Sequence, residues 1–497
     1  MPTGGAVSAG AASISQPNAS TLNINQSTNQ AIINWNTFSV GRGDTVNFNQ
    51  PGAASSTLNR VLGSTPSWIA GTINAPGTVL LINPNGIEIT RSGVVNTGSF
   101  VASTLNIKDS DYLNGNYRFN GNGGSAGVIN NGRIYTADGG FAALLGGQVS
   151  NNGVIVARLG RVALGAGEEA TLDLSGDGFL SVGIPSTEMG KLVNANGALV
   201  SNRGKIVADG GMVFLSAATA ANILRNAVNI PGSIRTNSVG VHNGRIVING
   251  GGGNVSITGK LAANGGKKHN GGSIAVTGGD INVSGTLSAN GANGGTISVI
   301  ANSELTLAGT LMAEGYRGQG GQIDLTAAGN VMLTGATVNA SGASGGGVIN
   351  IGGGPHATVA LADAQSLLID AATTISANAT NNGNGGHIVA WSDGLTTVAG
   401  TLSAMGGPNG GNGGLIETSG ETVDLAGINV TTAAPQGATG TWLIDPSIVA
   451  ICTGAACSAY TGDTIISSIA LATELGSTNE TVTATSSIYV ASPVAWG

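Results

Sequence analysis

GGSIAVTGGDINVSGTLSANGANGGTISVIANSELTLAGTLMAEGYRGQGGQIDL, residues 271–325, repeats itself. A Gly-Gly pair leads into a short alternating segment, and the same grammar returns as GGSIAV at 271, GGTISV at 294, GGQIDL at 320, GGVINI at 346, GGHIVA at 385 and GGLIET at 413. Four of the five gaps fall between 23 and 28 residues. A second series interleaves with the first: GKLAANG at 259, GTLSANG at 285, GTLMAEG at 309, GATVNASG at 335 and GTLSAMG at 400. Each unit is therefore two short strands joined by glycine-rich corners. Ile274 and Val276, Ile297 and Val299, and Ile323 and Leu325 share one face by the two-residue period of a strand. So short a strand cannot bury that face alone, whereas coil stacked on coil buries it continuously. The expected fold is all-β, a right-handed parallel β-helix with an N-terminal cap and short extra-helical β elements. Glycines are expected to supply positive φ at its corners, and stacked asparagines to ladder their amides.

Composition narrows the alternatives. Of 497 residues, 85 are glycine, 9% are charged and 4% aromatic, yet 41% are hydrophobic. Disordered chains are charge-rich and apolar-poor, and collagen needs far more than the 13 prolines present. The net charge of −7 is spread thinly, with no basic patch to engage nucleic acid. No apolar run reaches the length of a membrane-spanning helix. Two cysteines in so long a chain suit export. The opening MPTGGAVSAG lacks a basic head and an apolar core, so the chain is expected to be cytosolic or to have lost a leader.

Three regions are expected. Residues 1–110 are less glycine-dense and hold Trp35 and Trp68; they read as a cap with the first coils, because an open solenoid end would recruit other chains. Residues 111–440 are the glycine-rich coils. Residues 441–497 begin at the WLIDP junction. There DTIISSIALATEL (463–475) reads as a helix of about three turns capped by Asp463 or Thr464, before strands ETVTATS and SIYVASPV. The pattern runs to Gly497 without a capping element, so the chain is expected to be a piece of something longer.

Short motifs carry little chemistry. Asn83-Pro84-Asn85-Gly86 has proline second and glycine fourth, the preferences of a type I turn. Arg42-Gly43-Asp44 spells an integrin-binding tripeptide but sits where Gly and Asp simply turn the chain. His242, His269, His356 and His387 are scattered, and the densest acidic group, Glu168, Glu169, Asp173 and Asp177, reads equally well as a solvated corner. Asp363 and Asp370 are a single pair, too little for a glycosidase site. The expectation is no enzyme, no catalytic residue, no metal and no cofactor. Cys452 and Cys457, five apart in CTGAAC, are expected to close a local disulfide if the protein is exported; two separate thiols are the alternative.

Two longer segments carry a resemblance. PTGGAVSAGAASI resembles the mature N-terminus of two-partner secretion exoproteins. The segment from Ile33 to Thr90, INWNTFSVGRGDTVNFNQPGAASSTLNRVLGSTPSWIAGTINAPGTVLLINPNGIEIT, resembles the haemagglutination-activity (TPS) domain of the filamentous haemagglutinin type. GGHIVAWSDGLTTVAGTLSAMGGPNGGNGGLIETSG with the following WLIDP is similar to the high-molecular-weight adhesin branch, where the region belongs to a pro-piece. The resemblance implies a capped β-helix at the N-terminus of a large Gram-negative adhesin, secreted or held at the cell surface after passage through the periplasm. It implies one partner above all, a cognate outer-membrane transporter whose POTRA domains recognise the TPS domain while it is extended. On that reading Asn83, Pro84, Asn85 and Gly86 form a recognition or folding element. The family often has a second Asn-Pro-Asn element, whereas this chain departs from that pattern with a single one, at 83–85. A host-cell or glycan receptor would be met by the full-length protein, and the fragment itself is expected to be monomeric. The alternatives are a direct carbohydrate- or receptor-binding module and a β-helical polysaccharide-degrading enzyme.

Overall fold

The computed structural model describes residues 1–121, 126–174, 179–183, 198–218, 226–354 and 361–495. They form two compact units, Met1–Lys260 and Leu261–Gly497. Both are parallel β-helices.

In the first unit each coil contributes short strands to stacked parallel sheets. One stack runs through Thr21–Gln26, Thr45–Asn49, Thr72–Asn74, Val94–Thr97, Arg133–Thr136, Val154–Val156, Lys205–Val207 and Ser233–Arg235. The register puts Leu22, Val46, Ile73, Val95, Ile134, Ile155, Ile206 and Ile234 in one inward column. Every member is buried. Each such side chain contributes about 1.5–3 kcal/mol, an upper estimate against a compact unfolded chain. Outside this column, amides stack as expected: Asn47 donates to Asn23 at 3.0 Å, Asn74 to Asn47 at 3.0 Å and Asn96 to Asn74 at 3.4 Å. Those bonds link residues 24, 27 and 22 apart, the length of successive coils. A second amide ladder is fully buried, Asn130 to Asn151 to Asn202, each step 2.7 Å.

The first coil is closed by antiparallel strands. Ala6–Ala9 pairs with Gln30–Trp35, and Ala12–Asn18 with Thr21–Gln26. They occupy hydrogen-bonding edges that would otherwise face solvent. Beneath them Trp35 is buried edge-on to Phe38 and donates its Nε1–H to Asn59 at 3.0 Å.

Two excursions leave the coils of the first unit after Ser103 and after Ala166. They build a four-stranded antiparallel sheet from Asn106–Ile107, Tyr117–Asn120, Glu169–Leu172 and Leu180–Gly183, with a short helix Asp109–Leu113. This sheet lies as a lid over the outer face of the stack that includes Thr78–Ile82, Ser99–Ser103, Phe141–Gly146 and Arg161–Ala166. Ile107, Tyr112, Phe119, Leu172 and Phe179 pack there against Leu58, Leu80, Ala143 and Ala163. Arg60 ties the lid down: it donates to Asn106 Oδ1 at 3.0 Å and Ile107 O at 2.7 Å, and pairs with Asp109 at 2.8 Å. The Tyr112 hydroxyl meets Ser56 Oγ at 2.7 Å and donates to Ala31 O at 3.3 Å. Burial pushes that phenol up to about 12, so it stays protonated.

The second unit repeats the plan more regularly. Ile274, Ile297, Ile323, Ile349, Ile388, Ile416 and Trp442 form one inward column, and Leu287, Leu311, Val338, Ile375, Leu402 and Val430 another. Glycines do supply positive φ, as at Gly43, Gly266 and Gly335, and the Gly-Gly pairs serve a further purpose. A Cβ on Gly271 would lie 1.9 Å from Ala289 O, and one on Gly295 2.1 Å from Gly272 O. Neither adopts a left-handed backbone; successive coils approach there too closely for any side chain. Gly43, for its part, turns the chain within the Arg-Gly-Asp segment.

The C-terminal segment differs from its sequence reading. Thr464–Ser467 is a strand, paired in parallel with Ile448–Cys452, and the helix begins only at Ser468 and ends at Glu474. The N-cap is Ser467, whose Oγ accepts from Ala470 N–H at 3.4 Å, rather than Asp463 or Thr464. Thr464, Ile465 and Ile466 are β-branched and find a strand partner, which outweighs their place in a helical pattern. Cys452 and Cys457 are joined in a disulfide with Cα atoms 5.4 Å apart.

Candidate functional site

The strand Thr78–Ile82 delivers Asn83 to a corner of the first unit. Gly86 N–H donates to Asn83 O at 3.1 Å, closing the turn that Pro84 at its second position favours. Gly86 has φ of +115°, a backbone that only glycine adopts without strain.

Asn83 is completely buried, and every polar atom of its side chain is engaged. Its Nδ2 donates to Thr65 O at 3.0 Å and to Ser67 Oγ at 2.9 Å, both on the preceding coil. Its Oδ1 accepts from Asn85 N–H at 3.0 Å and from Asn85 Nδ2 at 3.1 Å. Its own N–H donates to Ser103 O on the following coil at 2.9 Å. Asn83 thus bonds the corner to the coils before and after it. Asn85 reaches back to Gly63 O at 2.8 Å but is exposed, and Pro84 is half-buried.

Shallow grooves flank Pro84. One, of about 370 Å³, is lined by Thr104, Ile107, Lys108 and Asn120; the other, of about 420 Å³, by Arg60, Leu62, Ser64 and Asn85. Leu62 is 65% exposed. The four residues singled out by sequence therefore lie together, in two roles: a buried bracket at Asn83 and an outward face at Pro84 and Asn85. What sequence reasoning missed is the flank supplied by Arg60, Leu62 and the lid. Its signal was present as the aliphatic runs VLLI and FVA, too apolar for strands with a wet outer face.

The acidic residues singled out in the sequence make no catalytic pair among the described residues. Asp370 is a turn group, accepting from Gly335 N–H at 2.9 Å and from Thr373 Oγ1 at 2.7 Å, and these donors hold its carboxyl below the usual range. Glu168 is buried and Glu169 exposed, whereas Asp177 and His356 lie outside the described residues. Among the described residues no group of three or more His, Cys, Asp or Glu could hold a metal ion.

Known proteins share this organisation. Residues 1–263 match the sequence family of the TPS secretion domain. The chain is 32% identical over 260 residues to a heme/hemopexin-binding protein of Haemophilus influenzae strain Rd, a match spanning 50% of this chain and 27% of that protein. Another heme/hemopexin-binding protein of Haemophilus influenzae is 33% identical over 110 residues, 22% of this chain and 12% of that one. The matched segment is thus well short of two thirds of either relative. The crystal structure of the HMW1 secretion domain from Haemophilus influenzae superposes with a TM-score of 0.56 at 25% identity, covering 90% of this chain and all of that one.

Proposed function

The chain belongs to the TPS secretion domain family, and from that premise we propose which of its residues the export machinery uses. Members of the family are N-terminal secretion-targeting regions of two-partner secretion exoproteins and work with a cognate outer-membrane transporter. Such exoproteins pass through the periplasm to the cell surface, and the family is not a family of enzymes. We assign targeting to residues 1–110, with Asn83, Pro84, Asn85 and Gly86 as the element that the transporter's POTRA domains engage. The coils of 111–440 and the segment 441–497 follow it out. Contacts within a β-helix run between neighbouring coils, so each coil can fold as it emerges, and folding outside opposes backsliding.

The observation that carries this reading is the division of labour in the turn. Asn83 spends its whole hydrogen-bonding capacity inside the fold, while Pro84 and Asn85 remain at the surface. Recognition of the extended chain and nucleation of the first coils then use one segment in succession. Binding of a host-cell or glycan receptor, and whatever the heme/hemopexin-binding relatives do, would belong to the whole exoprotein.

Co-expression with the cognate transporter tests the assignment. Asn85→Ala is expected to fold normally in vitro and to lower secretion at least about tenfold, a loss of about 1.4 kcal/mol of recognition. Asn83→Ala is expected to lose both folding stability and secretion. Full export of a chain lacking residues 1–110 would refute the reading.

A further inference from the structure

The second unit holds a pocket outside the segment to which we assign targeting. The insertion Thr464–Glu474, anchored by Thr453 Oγ1 against Ser468 Oγ at 2.6 Å, stands over the coils and encloses a cavity of about 450 Å³. That is within the usual size of small-molecule sites, about 300–1,000 Å³. Leu425, Ile428, Trp442, Ile466 and Leu471 form its apolar wall, and its charged lining is Asp424 and Glu474.

These carboxylates lack a counter-charge. Glu474 is the last residue of its helix, where carbonyl ends already present negative charge. It accepts from Val430 N–H at a long 3.4 Å. Beside it, both carboxyl oxygens of Glu480 are buried without a donor. Burial, and then the charge of Glu474, pushes the Glu480 carboxyl up to about 8. The chain supplies no cation to this region: residues 318–497 contain eleven Asp and Glu and no Lys or Arg.

We propose that this pocket binds a small organic cation, a primary amine whose hydrocarbon body fills the cavity and whose ammonium meets the carboxylates of Glu474 and Asp424. The apolar wall selects the body, and the carboxylates select the charge. Asp424 and Glu474 are the titratable groups that line the site. This inference is independent of the export reading, since it concerns a site outside residues 1–263.

Calorimetric titration of the whole chain with 2-phenylethylamine, against 2-phenylethanol as the uncharged counterpart, tests it. The amine is expected to bind saturably and at least about tenfold more tightly than the alcohol. Glu474→Gln should abolish that preference, and Asp424→Asn should reduce it. Leu471→Trp, which fills the cavity, should abolish binding of both, with thermal unfolding showing that each variant is folded. Absence of saturable heat with the amine, equal affinity for amine and alcohol, or an undiminished preference in Glu474→Gln and Asp424→Asn would overturn the proposal.

Discussion

In the first unit, Phe141–Gly146 and Arg161–Ala166 each bury five of six residues; in the second, Ser273–Gly278 and Thr296–Ala301 bury three of six. The inward columns of the two are alike, so the difference lies wholly on the outer face. The lid sheet covers that face in the first unit, where Phe141, Ala143, Leu145 and Ala163 point outward into it. In the second the outward residues are Ser, Ala, Thr and Ile, all of them half-buried or exposed. A coil therefore tolerates two kinds of outer surface on one inner plan, and the plan alone does not fix which one it has.

The strongest test of that contrast removes an aromatic from beneath the lid. Phe119→Ala is expected to cost about 3–5 kcal/mol in denaturant unfolding, since it opens a cavity between two apolar sheets. Asn83→Ala comes next, at about 1–3 kcal/mol, because it strands buried partners on the preceding coil. Hydrogen exchange at Ser67 and Ser103 should report that loss locally. The second unit has its own weak point at Glu480. Its carboxyl is raised above the unfolded value, so the folded state holds more protons and stability falls as pH rises from about 4.5 towards 8. Melting curves across that range should show the fall, and Glu480→Gln should flatten it. Smallest is Ser298→Ala on the uncovered face, expected within about 0.5 kcal/mol of the parent. A cost at Ser298 matching that at Phe119 would mean that both faces are covered, and the contrast would fail.

Much of this was legible. Ile274, Ile297 and Ile323 announce an inward column by spacing alone, and the structure aligns them in register. The Asn-Pro-Asn-Gly turn was legible as a turn, because Pro84 and Gly86 have local conformational preferences. The full burial of Asn83 was not, because its partners Thr65 and Ser67 lie 18 and 16 residues away on another coil. The strand at Thr464–Ser467 was misread for a similar reason: its partner, Ile448–Cys452, cancels a helical pattern that is only local. The Gly-Gly pairs were legible as a repeat, but not their role of admitting the backbone of the next coil, which depends on how closely the coils stack.

By itself the sequence determined the β-helix, its coil length and its inward faces, because period-two aliphatics and recurrent glycines act through neighbours in the chain and through identical neighbours one coil away. Only the tertiary structure decided which outer face is covered, that Asn83 is a bracket between coils, and that a pocket opens beside Glu474. The bracket depends on contacts between neighbouring coils, and the other two on segments that leave the coils and return elsewhere. Excursions such as 104–121 and 464–474 obey no repeat, and where they land is set by which apolar face or strand edge remains unsatisfied once the coils have stacked.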